Sequence, residues 1–116
     1  MSKQETVQLA LYDFESDIIH RFPVIISLMA RDNNIILGSI VIEKSQRGQG
    51  FGTQILTELC QFADLHKVSI TLTPDSSPGG NLRRLKSFYR RFGFKKNKDY
   101  FFSESMMRAS DNASFL

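Results

Sequence analysis

The stretch IVIEKSQRGQGFGTQILTELCQFADL, from Ile40 to Leu65, decides the fold, because an apolar strand runs through a glycine-rich turn directly into an amphipathic helix. The turn holds Gly48, Gly50 and Gly52, three of the seven glycines in the chain. Without a Cβ, glycine lets the backbone adopt positive φ and lets a ligand approach closely. The helix that follows directs unpaired N–H groups and the positive end of its dipole at the turn. This arrangement predicts a binding site for an anion such as a phosphate.

The size and composition of the chain indicate one domain over residues 1–116. A typical domain has about 100 to 150 residues, and this chain has 116. Apolar residues make up 41% of it, including 10 phenylalanines, and charged residues make up 23%. That balance is typical of a globular protein with a real core and argues against disorder. The formal charge of +3 favours an anionic ligand without establishing nucleic-acid binding.

The single cysteine and the absence of long apolar runs exclude several classes of protein. Cys60 has no partner for an intramolecular disulfide or a cysteine-based zinc site, and we expect no metal ion. The N-terminal MSKQETVQLA lacks the basic and apolar regions of a signal peptide. The longest apolar runs, Val24–Ala30 and Ile35–Ile42, are too short to span a bilayer. We therefore expect a cytoplasmic protein that does not bind a membrane.

The hydrophobic pattern before the glycine turn predicts strands and one short helix. Thr6–Tyr12 alternates apolar and polar residues, which is typical of a strand, and a short helix over Glu15–Arg21 would end at Pro23. Val24–Arg31 and Ile35–Glu43 are rich in β-branched residues and flank the sequence DNN. This pattern predicts a β-hairpin.

The pattern after the turn predicts an α/β crossover. From Gly50 onward apolar residues recur at helical spacing, and Val68–Thr73 follows as a strand parallel to the one before the turn. Asn81–Phe92 predicts a second helix with Gly93 at its C-terminal cap. Lys98–Met107 predicts a last strand or pair of strands. The fold class is therefore α/β, with a mixed sheet flanked by helices.

Two motifs, in this order, resemble those of the Gcn5-related N-acetyltransferase (GNAT) family, which transfers an acyl group from coenzyme A to an amine. The sequence RGQGFG, Arg47 to Gly52, is similar to the family's Arg/Gln-x-x-Gly-x-Gly/Ala pyrophosphate loop. The sequence FYRRFGF, Phe88 to Phe94, is similar to its Phe-Tyr-x-x-x-Gly-Phe signature. The resemblance implies a centrally splayed sheet of about six or seven strands. The family usually has two helices between its first two strands, but only Asp13–Pro23 is available for them here, so we expect that helical region to be much reduced.

The resemblance assigns parts of this chain to a coenzyme A site. The amides of the turn would bind the pyrophosphate, with side-chain donors from Arg47 or Gln49. The pantetheine arm would pair with the preceding strand, which must splay from its neighbour at its C-terminal end. Asn81 lies one position before the family's asparagine and would bind the cofactor or cap the helix. The predicted cofactor-binding residues are Ile40, Val41, Ile42, Arg47, Gly48, Gln49, Gly50, Phe51, Gly52, Thr53, Asn81 and Tyr89.

Acyl transfer needs an uncharged amine, a donor to the developing oxyanion and a proton for the departing thiolate. A main-chain N–H near Ile42 would serve the oxyanion. Tyr89 matches the family's helix tyrosine and would protonate the thiolate, although its pattern also fits a core residue with a surface hydroxyl. Glu43, at the end of the strand, is the first candidate for the base, and a solvated carboxylate is the alternative. Glu104 and Asp99 are the second candidates.

The resemblance implies an acetyl-CoA-dependent N-acetyltransferase that acts by direct attack of a primary amine in a ternary complex. The acceptor would be a protein or a small molecule, and the reduced acceptor region favours a large acceptor or a second subunit in a homodimer. A non-catalytic coenzyme A-binding or protein-interaction module of the same fold is the alternative. Nucleic-acid binding through the basic run from Arg83 to Lys98 is disfavoured, because its cations fall on the solvent face of an amphipathic helix.

Overall fold

The computed structural model describes residues 2–75, 81–98 and 104–110. In these ranges five strands form one sheet, in the order β1-β2-β3-β5-β4. Only the pair β2 and β3 is parallel, as the predicted crossover through α2 requires. No helix in these ranges combines the length and apolar character needed to cross a membrane. The elements are α1 Lys3–Arg21, β1 Val24–Arg31, β2 Asn34–Ile42, a 3₁₀ turn Lys44–Gln46, α2 Phe51–His66, β3 Ser69–Leu72, α3 Leu82–Arg90, β4 Lys95–Lys96 and β5 Met106–Arg108.

The N-terminal segment is one helix, which corrects two predictions. Thr6–Tyr12 is not a strand, and Glu15–Arg21 is only the last part of the 19-residue α1. Ser2 caps this helix, since its Oγ accepts a hydrogen bond from the Glu5 amide at 3.2 Å. Consequently α1 precedes the first strand instead of lying between two strands, and the described part of the chain has five strands rather than six or seven. The side chains of α1 that pack in or against the core are Val7, Leu11, Phe14 and Ile18.

Of the strand or pair of strands predicted over Lys98–Met107, the structure has a pair, with different bounds. In the described residues, β4 covers Lys95–Lys96 and β5 covers Met106–Arg108, and the two pair antiparallel. Residues 99–103 of the predicted strand lie outside the described residues. The far edge of the sheet is therefore formed by a short strand that carries two exposed lysines, which discourages pairing with another sheet.

The predicted hairpin is confirmed, and it contains a β-bulge. Asp32 and Asn33 form its turn with φ of 50° and 61°. The register between β1 and β2 shifts at Ser27/Leu28, and Gly38 on β2 is the extra residue. The bulge keeps the later side chains of β2 on the core face, because Ile40 and Ile42 pack against the same core as Ile35 and Leu37.

The three helices share one face of the sheet. Phe14 of α1 stacks on Phe62 of α2 with ring centroids 5.1 Å apart. Phe88 of α3 lies against the first turn of α2 at Gly52. The opposite face, which we call the distal face, carries the side chains that alternate with the core, and several of these are large, apolar and exposed. They are Ile25, Met29 and Val41, with exposed fractions of 71%, 57% and 48%.

A partly buried ion pair joins α2 to β5. Arg108 is only 8% exposed and donates from its two Nη atoms to the carboxylate of Asp64, at 3.0 and 2.9 Å. Its Nε donates to the Phe92 carbonyl at 2.8 Å. A bidentate pair of this kind is directional and strong when screened from water. It holds the segment after α3 against α2 and the sheet.

Candidate active site

The strand β3 pairs with β2 along its whole length, but β2 continues beyond the end of β3. Their parallel register covers Asn34–Leu37 of β2 and Ser69–Leu72 of β3 and stops there. From residue 38 to Ile42, β2 continues with β1 as its only neighbouring strand in the described part of the chain. One hydrogen-bonding edge of this segment is therefore unpaired among the described residues, and we call the space beside it the cleft. This unpaired part of β2 lies where the resemblance places the splay.

Main-chain donors of β2 point into the cleft. The Glu43 amide donates to the Pro23 carbonyl at 3.2 Å, so Glu43 faces β1. Because successive residues of a strand direct their N–H and C=O groups to opposite sides, those of Ile40 and Ile42 face the cleft. The Ile42 carbonyl accepts a hydrogen bond from Arg47 Nε at 3.0 Å, which agrees with this direction. An extended ligand can pair with such an edge as an added strand does.

The glycine-rich turn joins this edge to α2. Gly48 and Gly50 have φ of 83° and 81°, a left-handed conformation that strains residues with a side chain. Gly50 is the N-cap of α2. A Cβ on Gly52 would lie 3.5 Å from Cδ1 of Ile42 and 3.6 Å from Cζ of Phe88. The first turn of α2 therefore packs closely on both β2 and α3.

The main-chain amides of the turn are available to a ligand. The Arg47 amide makes a long contact of 3.4 Å with the Lys44 carbonyl, and the Gln54 amide begins the helical pattern by donating to Gly50 at 3.0 Å. Between them, the amides of residues 48–53 donate to no acceptor in the described residues. Residues 47–50 are also exposed. A row of free N–H groups at a helix N-terminus is suited to a phosphate or diphosphate.

The two predicted side-chain donors both lie in this turn. Arg47 is exposed, and its guanidinium contacts the end of β2 through the bond to Ile42. Gln49 donates from Nε2 to Oε1 of Gln46 at 3.2 Å. Both side chains border the free amides, so a diphosphate bound there would lie within reach of a cation and an amide.

Tyr89 is a buried side chain beside this region. It is 5% exposed, lies between the rings of Phe88 and Phe94, and follows directly the residue that contacts Gly52. Burial raises the pKa of the Tyr89 hydroxyl above its ordinary value of 10.0. No buried side-chain oxygen or nitrogen in the described residues lacks a hydrogen-bond partner. Tyr89 is therefore protonated at neutral pH.

The remaining predicted residues differ in how firmly the structure holds them. Glu43 is exposed where β2 ends, and it begins the 3₁₀ turn without a side-chain capping bond. Asn81 is the N-cap of α3, where its Oδ1 accepts from the Arg84 amide at 3.0 Å. This capping role is the alternative that the sequence left open.

Val41 points to the distal face, whereas Ile40 and Ile42 pack against the core. Asp99 lies outside the described residues.

The structure adds a chain of polar side chains that sequence reasoning missed. Ser69 Oγ donates to Asn34 Oδ1 at 2.7 Å, and Asn34 Nδ2 donates to Thr71 Oγ1 at 2.7 Å. Thr71 Oγ1 then donates to Glu104 Oε1 at 2.9 Å. Asn34 and Thr71 are 1% and 0% exposed. The signal in the sequence is the alternation of Ser69 and Thr71 with apolar residues in a central strand, which indicates polar partners on its second face.

Residues 9–96 match the family model of the acetyltransferase (GNAT) domain, which is more than half of the chain. The chain belongs to the GNAT family. The matched range of this GNAT domain includes the cleft, the glycine-rich turn and α3. No curated protein matches the sequence significantly.

Solved structures agree with the fold of this GNAT domain. The anti-CRISPR protein AcrVA5 is similar with a TM-score of 0.61 and 16% identity, over 75% of this chain and 90% of that one. The PaiA N-acetyltransferase of Thermoplasma acidophilum, solved in complex with coenzyme A, has a TM-score of 0.52 and 19% identity. That likeness covers 74% of this chain and 52% of the enzyme. A putative GNAT acetyltransferase of Bacteroides thetaiotaomicron has a TM-score of 0.52 and 18% identity, over 94% and 86% of the two chains. At these identities the likeness concerns the fold.

Proposed function

We propose that this GNAT domain is an acetyl-CoA-dependent N-acetyltransferase that transfers the acetyl group directly to a primary amine in a ternary complex. The observation that carries the proposal is the continuity of two features. The cleft-facing edge of β2 leads, within a few residues, to the free amides of residues 48–53. An extended arm that ends in a diphosphate would use both together. The family match supports acetyl transfer as the chemistry.

Each part of acetyl-CoA has a proposed partner. The amides of residues 48–53, which include Phe51 and Thr53, bind the pyrophosphate, with Arg47 and Gln49 at its rim. The pantetheine arm pairs with Ile40–Ile42 along the cleft. Asn81 shapes the site by fixing the start of α3, from which Tyr89 projects.

The reaction proceeds by attack of the neutral amine on the thioester carbonyl. A cleft-facing amide of β2 donates to the developing oxyanion. When the carbon–sulfur bond breaks, Tyr89 gives its proton to the thiolate, since its raised pKa keeps it protonated and available as a donor at neutral pH. The sequence predicts Glu43 as the base that removes a proton from the amine.

The shape of the sheet favours a large acceptor. The helices α1, α2 and α3 pack on one face, so no helix in the described part of the chain walls the distal face. A small amine is normally selected in a closed, water-excluding cavity. A lysine or an amino terminus carried by a protein can instead be selected by contacts away from the amine.

Calorimetry with coenzyme A tests the binding site. We expect Gly50→Asp to abolish binding, because it strains a left-handed position and places negative charge against the pyrophosphate. The matched control is Gly93→Asp, which adds the same side chain at a φ of 96° outside the turn and should retain affinity. Unchanged affinity in Gly50→Asp would contradict the site.

Thioester consumption separates the enzyme from a binding module of the same fold. The wild-type protein is incubated with acetyl-CoA and a panel of amine-bearing proteins and small amines, and free thiol is measured. Amine-dependent release of thiol supports the enzyme. Coenzyme A binding without any release would instead support the non-catalytic module.

A further inference from the structure

We propose that Glu104 is the general base of the transfer and that Thr71 is the residue that positions it. This inference rests on the proposed acetyltransferase function and names the group that takes the proton from the acceptor amine. It is carried by the hydrogen bond from Thr71 to Glu104 and by the place of that bond at the closed end of the cleft.

The backbone places Glu104 near the closed end of the cleft, just past the end of β3. Met106 pairs with Leu72, and the Ser105 amide donates to Thr73 Oγ1 at 3.2 Å. Glu104 therefore lies just beyond the C-terminal end of β3. Its main chain is fixed there, since Asn97 Nδ2 donates to the Glu104 carbonyl at 2.6 Å. From this point its side chain reaches back to Thr71.

Thr71 lies next to the last pair that joins β2 to β3. It pairs with Ile36, one residue before the final pair of Leu37 and Leu72. Its side chain alternates with the buried Ile70 and Leu72, so it lies on the distal face. Strand spacings of about 4.8 Å and residue rises of about 3.3 Å put the Glu104 carboxylate on the order of 10 Å from residues 38–40 of β2.

The length of the pantetheine arm brings the thioester toward this position. From the diphosphate to the sulfur, the extended arm measures roughly 15 Å, which is the rise of about five strand residues. The turn that holds the diphosphate contacts the end of β2 at Ile42. Five residues back along β2 from Ile42 is Leu37, which pairs with Leu72 at the closed end of the cleft. Of the two cleft-facing amides, Ile40 is the nearer to that end.

The same distance along β2 distinguishes Glu104 from Glu43 as candidates for the base. Glu43 follows Ile42 at the end of the cleft that adjoins the turn, about one arm length from the thioester. It is also exposed and begins the 3₁₀ turn without a side-chain capping bond. Glu104 is half-buried and held by a donor. A base fixed in advance loses less rotamer freedom on reaction than a solvated one does.

The hydrogen bonds that run from Ser69 through Asn34 and Thr71 to Glu104 all donate in the same direction. The Asn34 amide occupies Thr71 Oγ1 as a donor, so the single hydroxyl proton of Thr71 is directed to Glu104. Asn34 is in turn oriented by the hydroxyl of Ser69. Because Asn34 and Thr71 are buried, this order is protected from exchange with solvent.

The step balances in atoms and protons. Glu104 removes one proton from the ammonium group of the acceptor, directly or through one water, and releases it to solvent. The freed nitrogen lone pair forms the carbon–nitrogen bond, and the carbon–sulfur bond then breaks. The nitrogen loses its second proton, while the thiolate gains one from Tyr89, which is reprotonated by solvent. The products are an amide, free coenzyme A and one net proton.

Steady-state kinetics of Glu104→Gln, with an acceptor found in the screen, tests the base. Glutamine can still accept from Thr71 but is not basic. We expect kcat to fall at least about 100-fold with little change in KM for acetyl-CoA. Asp75→Asn is the matched control, because it removes an exposed carboxylate from the same end of β3 and should leave kcat within about 2-fold. The proposal would be overturned if Glu104→Gln kept its kcat. It would also be overturned if the expected loss of kcat occurred in Glu43→Gln and not in Glu104→Gln.

Two further variants distinguish a base from a structural residue. Added formate should restore part of the activity of Glu104→Ala, since a small carboxylate can occupy the vacated position. Thr71→Val should lower kcat without being rescued by formate, and Thr71→Ser, which keeps the hydroxyl, should restore it. The assignment would be overturned if formate failed to restore activity to Glu104→Ala and Thr71→Ser were as slow as Thr71→Val. If the wild-type protein consumes thioester while Glu104→Gln does so equally, only this proposal fails; if the wild type consumes none, the proposed function fails.

Discussion

At the scale of the residue, the burial of Tyr89 is consistent with the acid role that we propose for it. It is 5% exposed, and loss of hydration raises its pKa above 10.0. A raised folded-state pKa means that the stabilising neutral form is fully present below the unfolded pKa of about 10. That contribution is lost as pH rises through the folded pKa. Tyr89 therefore keeps its proton throughout the neutral range.

Replacing this hydroxyl should slow turnover more than it weakens binding. We expect Tyr89→Phe to lower kcat by about 10- to 100-fold, because the ring still packs but no proton reaches the thiolate. The KM for acetyl-CoA should change little. Steady-state kinetics at neutral pH measures both constants. Tyr12→Phe, at a residue 59% exposed on α1, is the control. Turnover equal to the wild type would remove the acid role from Tyr89.

At the scale of the element, the sequence predicts some segments well for identifiable reasons. The turn and α2 were predictable because positive φ requires glycine and because the apolar spacing from Phe51 fits only a helix. The hairpin was predictable because Asp32 and Asn33 tolerate positive φ. The crossover then followed from chain order.

The N-terminal segment was predicted wrongly because its apolar residues fit two periods. Val7, Leu9 and Leu11 alternate as a strand would, yet Val7, Leu11 and Ile18 also form a helical stripe. The structure buries the helical set and leaves Leu9 52% exposed. The pattern Ser2-x-x-Glu5, a capping box, was the signal that decides between them.

The polar chain at Glu104 could not be predicted from local pattern. Thr71 and Glu104 are 33 residues apart, and Asn34 and Thr71 are 37 apart. Spacing in the sequence indicates the face of a strand but not which distant side chain covers it. Only the register of β3 with β5 brings the two together.

The ion pair between Asp64 of α2 and Arg108 of β5 leads to a prediction about stability. Asp64→Asn should lower the free energy of unfolding by about 2 to 4 kcal/mol, since it removes the carboxylate charge that pairs with the buried Arg108 guanidinium. The matched change is Asp17→Asn, at an exposed pair with Arg21, which should change stability far less because water screens the two charges. Denaturant unfolding measures both variants. A loss in Asp64→Asn no larger than in Asp17→Asn would contradict a structural role for the pair.

At the scale of the whole molecule, the features proposed for catalysis meet at one end of the sheet. The cleft begins where β3 ends beside β2, the free amides follow β2, and Glu104 lies beyond β3. The helices occupy one face and leave apolar side chains of β1 and β2 exposed on the other. In the proposed reaction, the cofactor would bind on one side of the cleft and the acceptor would approach from the distal face.

The most direct test of this account is an NMR titration of the ¹⁵N-labelled protein with coenzyme A. The largest changes in amide shift should occur at residues 48–53, accompanied by Ile40 and Ile42, because these N–H groups face the turn and the cleft. If these amides do not move at saturating coenzyme A, or if the changes are confined to the basic surface from Arg83 to Lys98, the account is contradicted.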